Sequence, residues 1–279
     1  MIDANGLIGS HDVLFITLDT LRYDVAVDAL ARGMTPNLAA VLHRARWERR
    51  HSPGNFTYAA HHAFFAGFLP TPARPGRHPR LFAVAFPGSE TTTPRTCVFE
   101  TPDIVSGFAS RGYHTICIGG VGFFNRQTPL GCVLPGLFAE SHWSESMGVT
   151  DRRSTENQVN CALASLAGLS NGTAAMNQPR VFLFVNISAL HQPNCIFTEG
   201  ATRDSPDTQA AALSYVDRHL PRLFAAMQSR APALVILCSD HGTAYGEDGY
   251  RGHRLNHPVV GTVPYAEFVL PKIGEDHTP

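Results

Sequence analysis

Charge is scarce in this sequence, and neither sign is in excess. Only 16% of the 279 residues are charged, and the formal net charge is −1. Without a basic excess there is no electrostatic footprint for nucleic acid, and without a block of like charges there is no sign of a solvated tail. Long apolar runs are missing too: none approaches the roughly 20 residues of a membrane-spanning helix. The opening MIDANGLIGSHDVLFITLDT lacks a basic n-region, and its apolar run over 13–18 is too short for a secretory signal. These absences make a soluble, cytoplasmic chain with no nucleic-acid or membrane partner the expectation. The six cysteines (97, 117, 132, 161, 195 and 238) form no C-x-x-C pair. That argues against a zinc ribbon, and buried free thiols are expected rather than a disulfide frame. There is no internal repeat and no low-complexity tract.

Hydrophobic residues make up 44% of the chain, enough to bury a sizeable core. They come as short continuous runs at 13–18, 81–86, 115–118, 181–187, 233–238 and 266–270. Unbroken Val/Ile/Leu/Phe runs suit strands covered on both faces. Helical patterns lie between them at 36–47, 59–68, 102–111, 155–166 and 208–227. Thr35-Pro36 and Ser205-Pro206-Asp207 read as helix starts. The alternation predicts an α/β fold: a mostly parallel central sheet with helices on both faces. The chain reads as one domain, with an irregular cap over 119–150 and Pro/Gly-rich loops at 70–80, 119–136 and 243–264.

Histidine is plentiful, with 14 in the chain. Two groups of residues could use it. Asp19 directly follows the first strand, where α/β sheets collect ligands. It is either a rigidly held metal ligand or the cap of the next helix. Nearby Arg22 is either a salt-bridge residue or a grip for an anionic substrate. Asp240 and His241 end the 233–238 run, followed by Gly242, whose freedom would let both side chains turn to one cation. Glu247, Asp248, His253 and His257 come next. Gly252 and Pro258 disfavour a helix between the two histidines, so a loop folding back over the strand end is expected. Singly, each histidine is better explained as a surface or hydrogen-bonded residue. Together with a strand-end Asp-His they form a metal-site pattern.

The segments Val13–Asp24, Thr57–Pro70 and Ser239-Asp240-His241-Gly242, with Gly246-Glu247-Asp248-Gly249 and Gly252-His253, resemble the alkaline phosphatase/sulfatase-like superfamily. In that family the nucleophile stands ten residues before a Gly, and counting back from Gly67 gives Thr57. The resemblance runs from about 12 to 271 and implies an alkaline phosphatase-like fold, with a metal on Asp19, Thr57, Asp240 and His241. It further implies that His191, His253 and His257 bind a second metal or the substrate anion. The chain resembles small stand-alone bacterial sulfatase-like hydrolases. Two departures stand out. No cysteine lies in a formylglycine context, with His61 where the motif has Arg, and Thr20 replaces the second aspartate of the first site.

A threonine nucleophile activated by a divalent cation points to phosphoric esters, through a covalent phospho-threonine released by water. His61 or His257, if protonated, would assist the leaving group as general acid. A histidine-rich ligand set favours zinc, with manganese or calcium as alternatives. The expected partner is a small anionic ester. The competing readings are a sulfatase, phosphonate hydrolase, phosphotransferase or mutase of the same superfamily, and a non-catalytic metal-binding scaffold.

Overall fold

The computed structural model describes residues 2–67, 83–84, 98–99, 103–170 and 178–274. The strands are β1 (Asp12–Leu18), β2 (Glu48–His51), β3 (Ala83–Val84), β4 (Val98–Phe99), β5 (His114–Ile118), β6 (Glu140–His142), β7 (Val181–Ile187), β8 (Ala233–Cys238), β9 (Ala244–Tyr245), β10 (Arg251–Gly252) and β11 (Thr262–Leu270). The helices are α1 (Tyr23–Ala31), α2 (Pro36–Val41), α3 (Thr57–Ala66), α4 (Ile104–Ser110), α5 (Pro129–Val133), α6 (Ser154–Ser170), α7 (Pro206–Arg230) and α8 (Pro258–Gly261).

Seven strands form the main sheet in the order β2-β11-β8-β1-β7-β5-β6. Neighbours from β8 to β6 run parallel, while β11 and β2 add an antiparallel edge. This is the mostly parallel α/β sheet that the apolar runs predict. Every residue of β1 and β7 is buried, which explains why their sequences do not alternate. Leu14, Ile16 and Leu18 face a core shared with α1, α6 and α7, whereas Val13 and Phe15 face α3 and α4. The long helix α7 starts with a capping box between Ser205 and Thr208. Among the described residues no helix is long and apolar enough to cross a membrane.

Several local expectations differ from the structure. The helix expected over 36–47 ends at Val41, and the chain continues through a left-handed Arg44 into β2. All four residues of β2 are exposed, so no apolar run announces it. Thr35 precedes α2 without a side-chain cap bond. The 119–150 cap contributes β6 to the sheet edge, pairing with β5. The five described cysteines are free, yet only Cys117 and Cys238 are buried and Cys132 is exposed. Most of the expected 81–86 strand, the 70–80 loop and Cys97 lie outside the described residues.

Candidate metal centre

The topology brings three loops to one point. Because β1 sits between β7 and β8, the segments after all three emerge side by side at the C-terminal edge of the sheet. β1 delivers Asp19, β8 delivers Asp240 and His241, and the end of β7 carries Asn186. Asp19, Asp240 and His241 are fully buried, and one ligand atom from each lies within 4.8 Å of the others. Thr57 joins them from the first position of α3. Its Oγ1 stands 3.4 Å from Asp19 Oδ2 and 3.4 Å from His241 Nε2. These contacts are long for a hydroxyl.

Half of each carboxylate is committed. Asp19 Oδ2 accepts from Asn186 Nδ2 at 3.1 Å. Asp240 Oδ1 accepts the backbone N–H groups of Thr20 (3.1 Å) and His241 (3.0 Å). The other oxygens, Asp19 Oδ1 and Asp240 Oδ2, are buried without a hydrogen-bond partner. Burial holds both carboxyls above the ordinary carboxylate range, and Asp240's charge adds to the effect at Asp19. His241 Nδ1 faces the Gly242 carbonyl at 2.9 Å, so Nδ1 carries the proton and Nε2 presents a lone pair. A carbonyl on the far nitrogen is the usual support of a metal-ligating histidine. Orphaned buried oxygens, a presented imidazole and a nearby hydroxyl fit a divalent cation with N/O ligands. Asp19 does not cap α1: the N-cap there is Arg22.

His253 is drawn in with His241, their ring centroids 4.7 Å apart, and His191 lies 5.5 Å beyond His253. His191 Nδ1 donates to the Gln192 carbonyl at 2.7 Å. Burial, reinforced by His241 and His191, lowers the His253 pKa to about 3, so its ring is neutral at physiological pH.

The other three expected residues are engaged elsewhere. His61 is fully buried; its Nδ1 donates to the Thr57 carbonyl (2.7 Å) and its Nε2 accepts from Thr17 Oγ1 (3.0 Å). Burial lowers its pKa to about 3, leaving no proton to give a leaving group near neutrality. The ring braces the start of α3 against β1. His257 N-caps α8 through the Val259 N–H and pairs with Asp248 at 3.0 Å. The Arg22 guanidinium is taken up by Asp24 and Glu247, so it fastens the 244–252 hairpin loop rather than facing an open site.

Gly242 serves by close approach rather than by freedom. Its backbone is not left-handed, but a Cβ there would meet the Val259 carbonyl oxygen at 1.9 Å. Gly242→Ala is therefore expected to lower stability by roughly 1–3 kcal/mol through forced backbone displacement. Urea unfolding checks this, and an unchanged midpoint would contradict it.

The sequence alone does not point to Asn186, Thr17 and Gln209, all fully buried and all bonded within this region. For Asn186 and Thr17 a signal exists: each is a polar residue inside an apolar strand, where burial is costly unless a partner waits.

With this geometry established, the fold is similar to that of several solved structures. A protein in the alkaline phosphatase superfamily from Vibrio parahaemolyticus superposes with a TM-score of 0.55 at 18% identity, covering 93% of this chain and 60% of that one. The C-terminal periplasmic domain of EcEptC from Escherichia coli, in complex with Zn, gives 0.63 at 12% identity, covering 95% and 75%. The soluble domain of lipooligosaccharide phosphoethanolamine transferase A from Neisseria meningitidis gives 0.61 at 16%, covering 94% and 77%. No curated protein matches the chain. The sulfatase family model matches residues 11–260, and the chain belongs to that family.

Proposed function

We propose that this chain is a divalent-metal-dependent enzyme of phosphoric esters that uses Thr57 as its nucleophile and zinc as its metal. The observation that carries the reading is the Thr57 hydroxyl, set at the start of α3 and facing the buried Asp19 carboxylate and the presented His241 imidazole, which cluster with Asp240. Asp19, Asp240, His241 and Thr57 would hold the cation. When bound, it would lower the hydroxyl pKa and offset charge on the phosphoryl oxygens.

The chain's own residues do the rest. Asp19 Oδ2 and His241 Nε2 are the groups nearest the Thr57 proton. The first N–H groups of α3, which lacks a side-chain cap, favour an anion at its N-terminus. His253, neutral and next to His241, has one ring N–H to give to a phosphoryl oxygen, while His191, its Nδ1 proton held by the Gln192 carbonyl, presents a lone pair on Nε2. The Thr57 Oγ–P bond forms as the ester P–O bond breaks, and the proton leaves with the alcohol. Attack by water then breaks the Thr57 Oγ–P bond, releasing phosphate from a monoester or a phosphomonoester from a diester, and a proton returns to Thr57 Oγ.

A second reading replaces water with an acceptor alcohol. Its support is the likeness in fold to a lipooligosaccharide phosphoethanolamine transferase. Both readings are tested by assaying zinc-loaded protein on an aryl phosphodiester and an aryl sulfate, with and without added alcohols. Phosphodiester turnover that a chelator abolishes is expected. Transfer to alcohol in preference to water would select the second reading, and turnover of the sulfate alone would overturn both.

A further inference from the structure

Thr20, next to Asp19, has a left-handed backbone with φ of 63°. A β-branched residue avoids that region, so something must hold it there. The turn matters because the Thr20 N–H binds Asp240 Oδ1 and thereby fixes one carboxylate from the strand that bears the other.

The holding group is Gln209, in the second turn of α7 and fully buried. Its Nε2 donates to the Thr20 carbonyl at 2.9 Å, and its Oε1 accepts the Arg22 N–H at 3.3 Å. One side-chain amide thus spans the turn as a neighbouring strand would. The Leu190 carbonyl extends the clamp: it accepts from Thr20 Oγ1 (3.0 Å), Asn194 Nδ2 (3.1 Å) and, at 3.4 Å, Gln209 Nε2. Asn194 Oδ1 in turn accepts from Thr208 Oγ1, part of the α7 capping box. The anchored start of α7 therefore reaches Asp19, Asp240 and, through Leu190, the chain at His191.

We infer that Gln209 is a positioning residue that sets the metal affinity of the site by holding the Thr20 turn in its left-handed form. It touches neither metal nor substrate. Outer partners of this kind change metal affinity by roughly 10- to 100-fold when removed. The inference rests on the metal-site reading of Asp19, Asp240 and His241.

The test is zinc titration of metal-stripped protein, wild type against Gln209→Glu and Gln209→Met. Glu keeps the acceptor for Arg22 and loses the donor to Thr20, whereas Met keeps the bulk and loses both. Asp217→Asn is the control. Asp217 lies on the same helix, is fully buried, and accepts the Asn37 and Leu38 N–H groups at the start of α2. Zinc affinity should fall roughly 10- to 100-fold in either Gln209 variant and stay within about threefold in Asp217→Asn, even where the melting temperatures of the metal-free proteins fall alike. Having two Gln209 variants of different chemistry keeps the test open if one fails to fold. Equal zinc affinity in wild type and Gln209 variants would overturn the inference, as would an equal loss in Asp217→Asn. Failure of wild type itself to bind zinc would instead overturn the metal reading beneath it.

Discussion

Thr57→Ala is expected to reduce phosphodiester turnover by roughly 10⁴-fold or more while leaving the fold and most of the metal affinity in place. Removing a nucleophile that acts together with its activating groups costs about as much as removing the whole unit. The stability cost should be small for a structural reason. Thr57 opens α3, but its hydroxyl caps nothing, and its contacts to Asp19 and His241 are both 3.4 Å long. Three metal ligands remain in the variant, so zinc should still raise its melting temperature. Thr57→Ser restores a hydroxyl at the same helix position and should recover most of the rate. Steady-state kinetics and thermal melts on the three proteins check this. A Thr57→Ala enzyme within tenfold of wild type would move the nucleophile elsewhere.

Asp240→Asn should have opposite effects on the metal-free and zinc-loaded proteins. Without metal, Asp19 and Asp240 are two buried carboxyls held above the ordinary range, mainly by burial. The folded protein binds their protons more tightly than the unfolded chain does. The stability from this source is complete below the unfolded carboxylate pKa, about 4, and is lost as pH rises through the raised folded values. A permanently neutral Asn escapes that loss, and its amide oxygen can keep the bonds from the Thr20 and His241 N–H groups. Each tenfold difference in proton affinity between the folded and unfolded chain is worth about 1.4 kcal/mol. Metal-free Asp240→Asn should therefore melt above metal-free wild type at pH 8, by roughly 3–8 °C. The gap should close towards pH 4, and excess zinc should reverse the order because the variant has lost a ligand. Melts from pH 4 to 8 with and without zinc measure this. A variant less stable than wild type at pH 8 without metal would show that the buried charges are already compensated.

The extent to which sequence reveals this site depends on what each residue does locally. Asp19 and the Asp240-His241 pair are visible because they end continuous apolar strands, and such strands in an α/β chain deliver their ends to one edge. The ten-residue step from Thr57 to Gly67 also has a local cause. It is the length of α3, from its first residue to the left-handed glycine that ends it. The supporting residues are less visible. Gln209 sits in a helix where glutamine is ordinary, and its partner Thr20 is 189 positions away. Nothing nearby in sequence marks the bond. His61, His257 and Arg22 are the reverse case. Their side-chain chemistry suits catalysis or anion binding, but only the folded chain shows that their polar atoms are engaged by Thr17 and the Thr57 carbonyl, by Asp248 and the Val259 N–H, and by Asp24 and Glu247. The exposed edge strand β2 is invisible in sequence because pairing with β11, rather than any apolar pattern of its own, makes it a strand.

Everything proposed for this chain depends on one cation lying between Asp19, Thr57, Asp240 and His241. Anomalous diffraction at the zinc absorption edge from zinc-loaded crystals tests that directly. The expected result is a peak about 2.0–2.2 Å from Asp19 Oδ1, Asp240 Oδ2 and His241 Nε2, with Thr57 Oγ1 facing it. A fully loaded crystal with no peak at these atoms, or with its zinc only on surface histidines, would contradict the account.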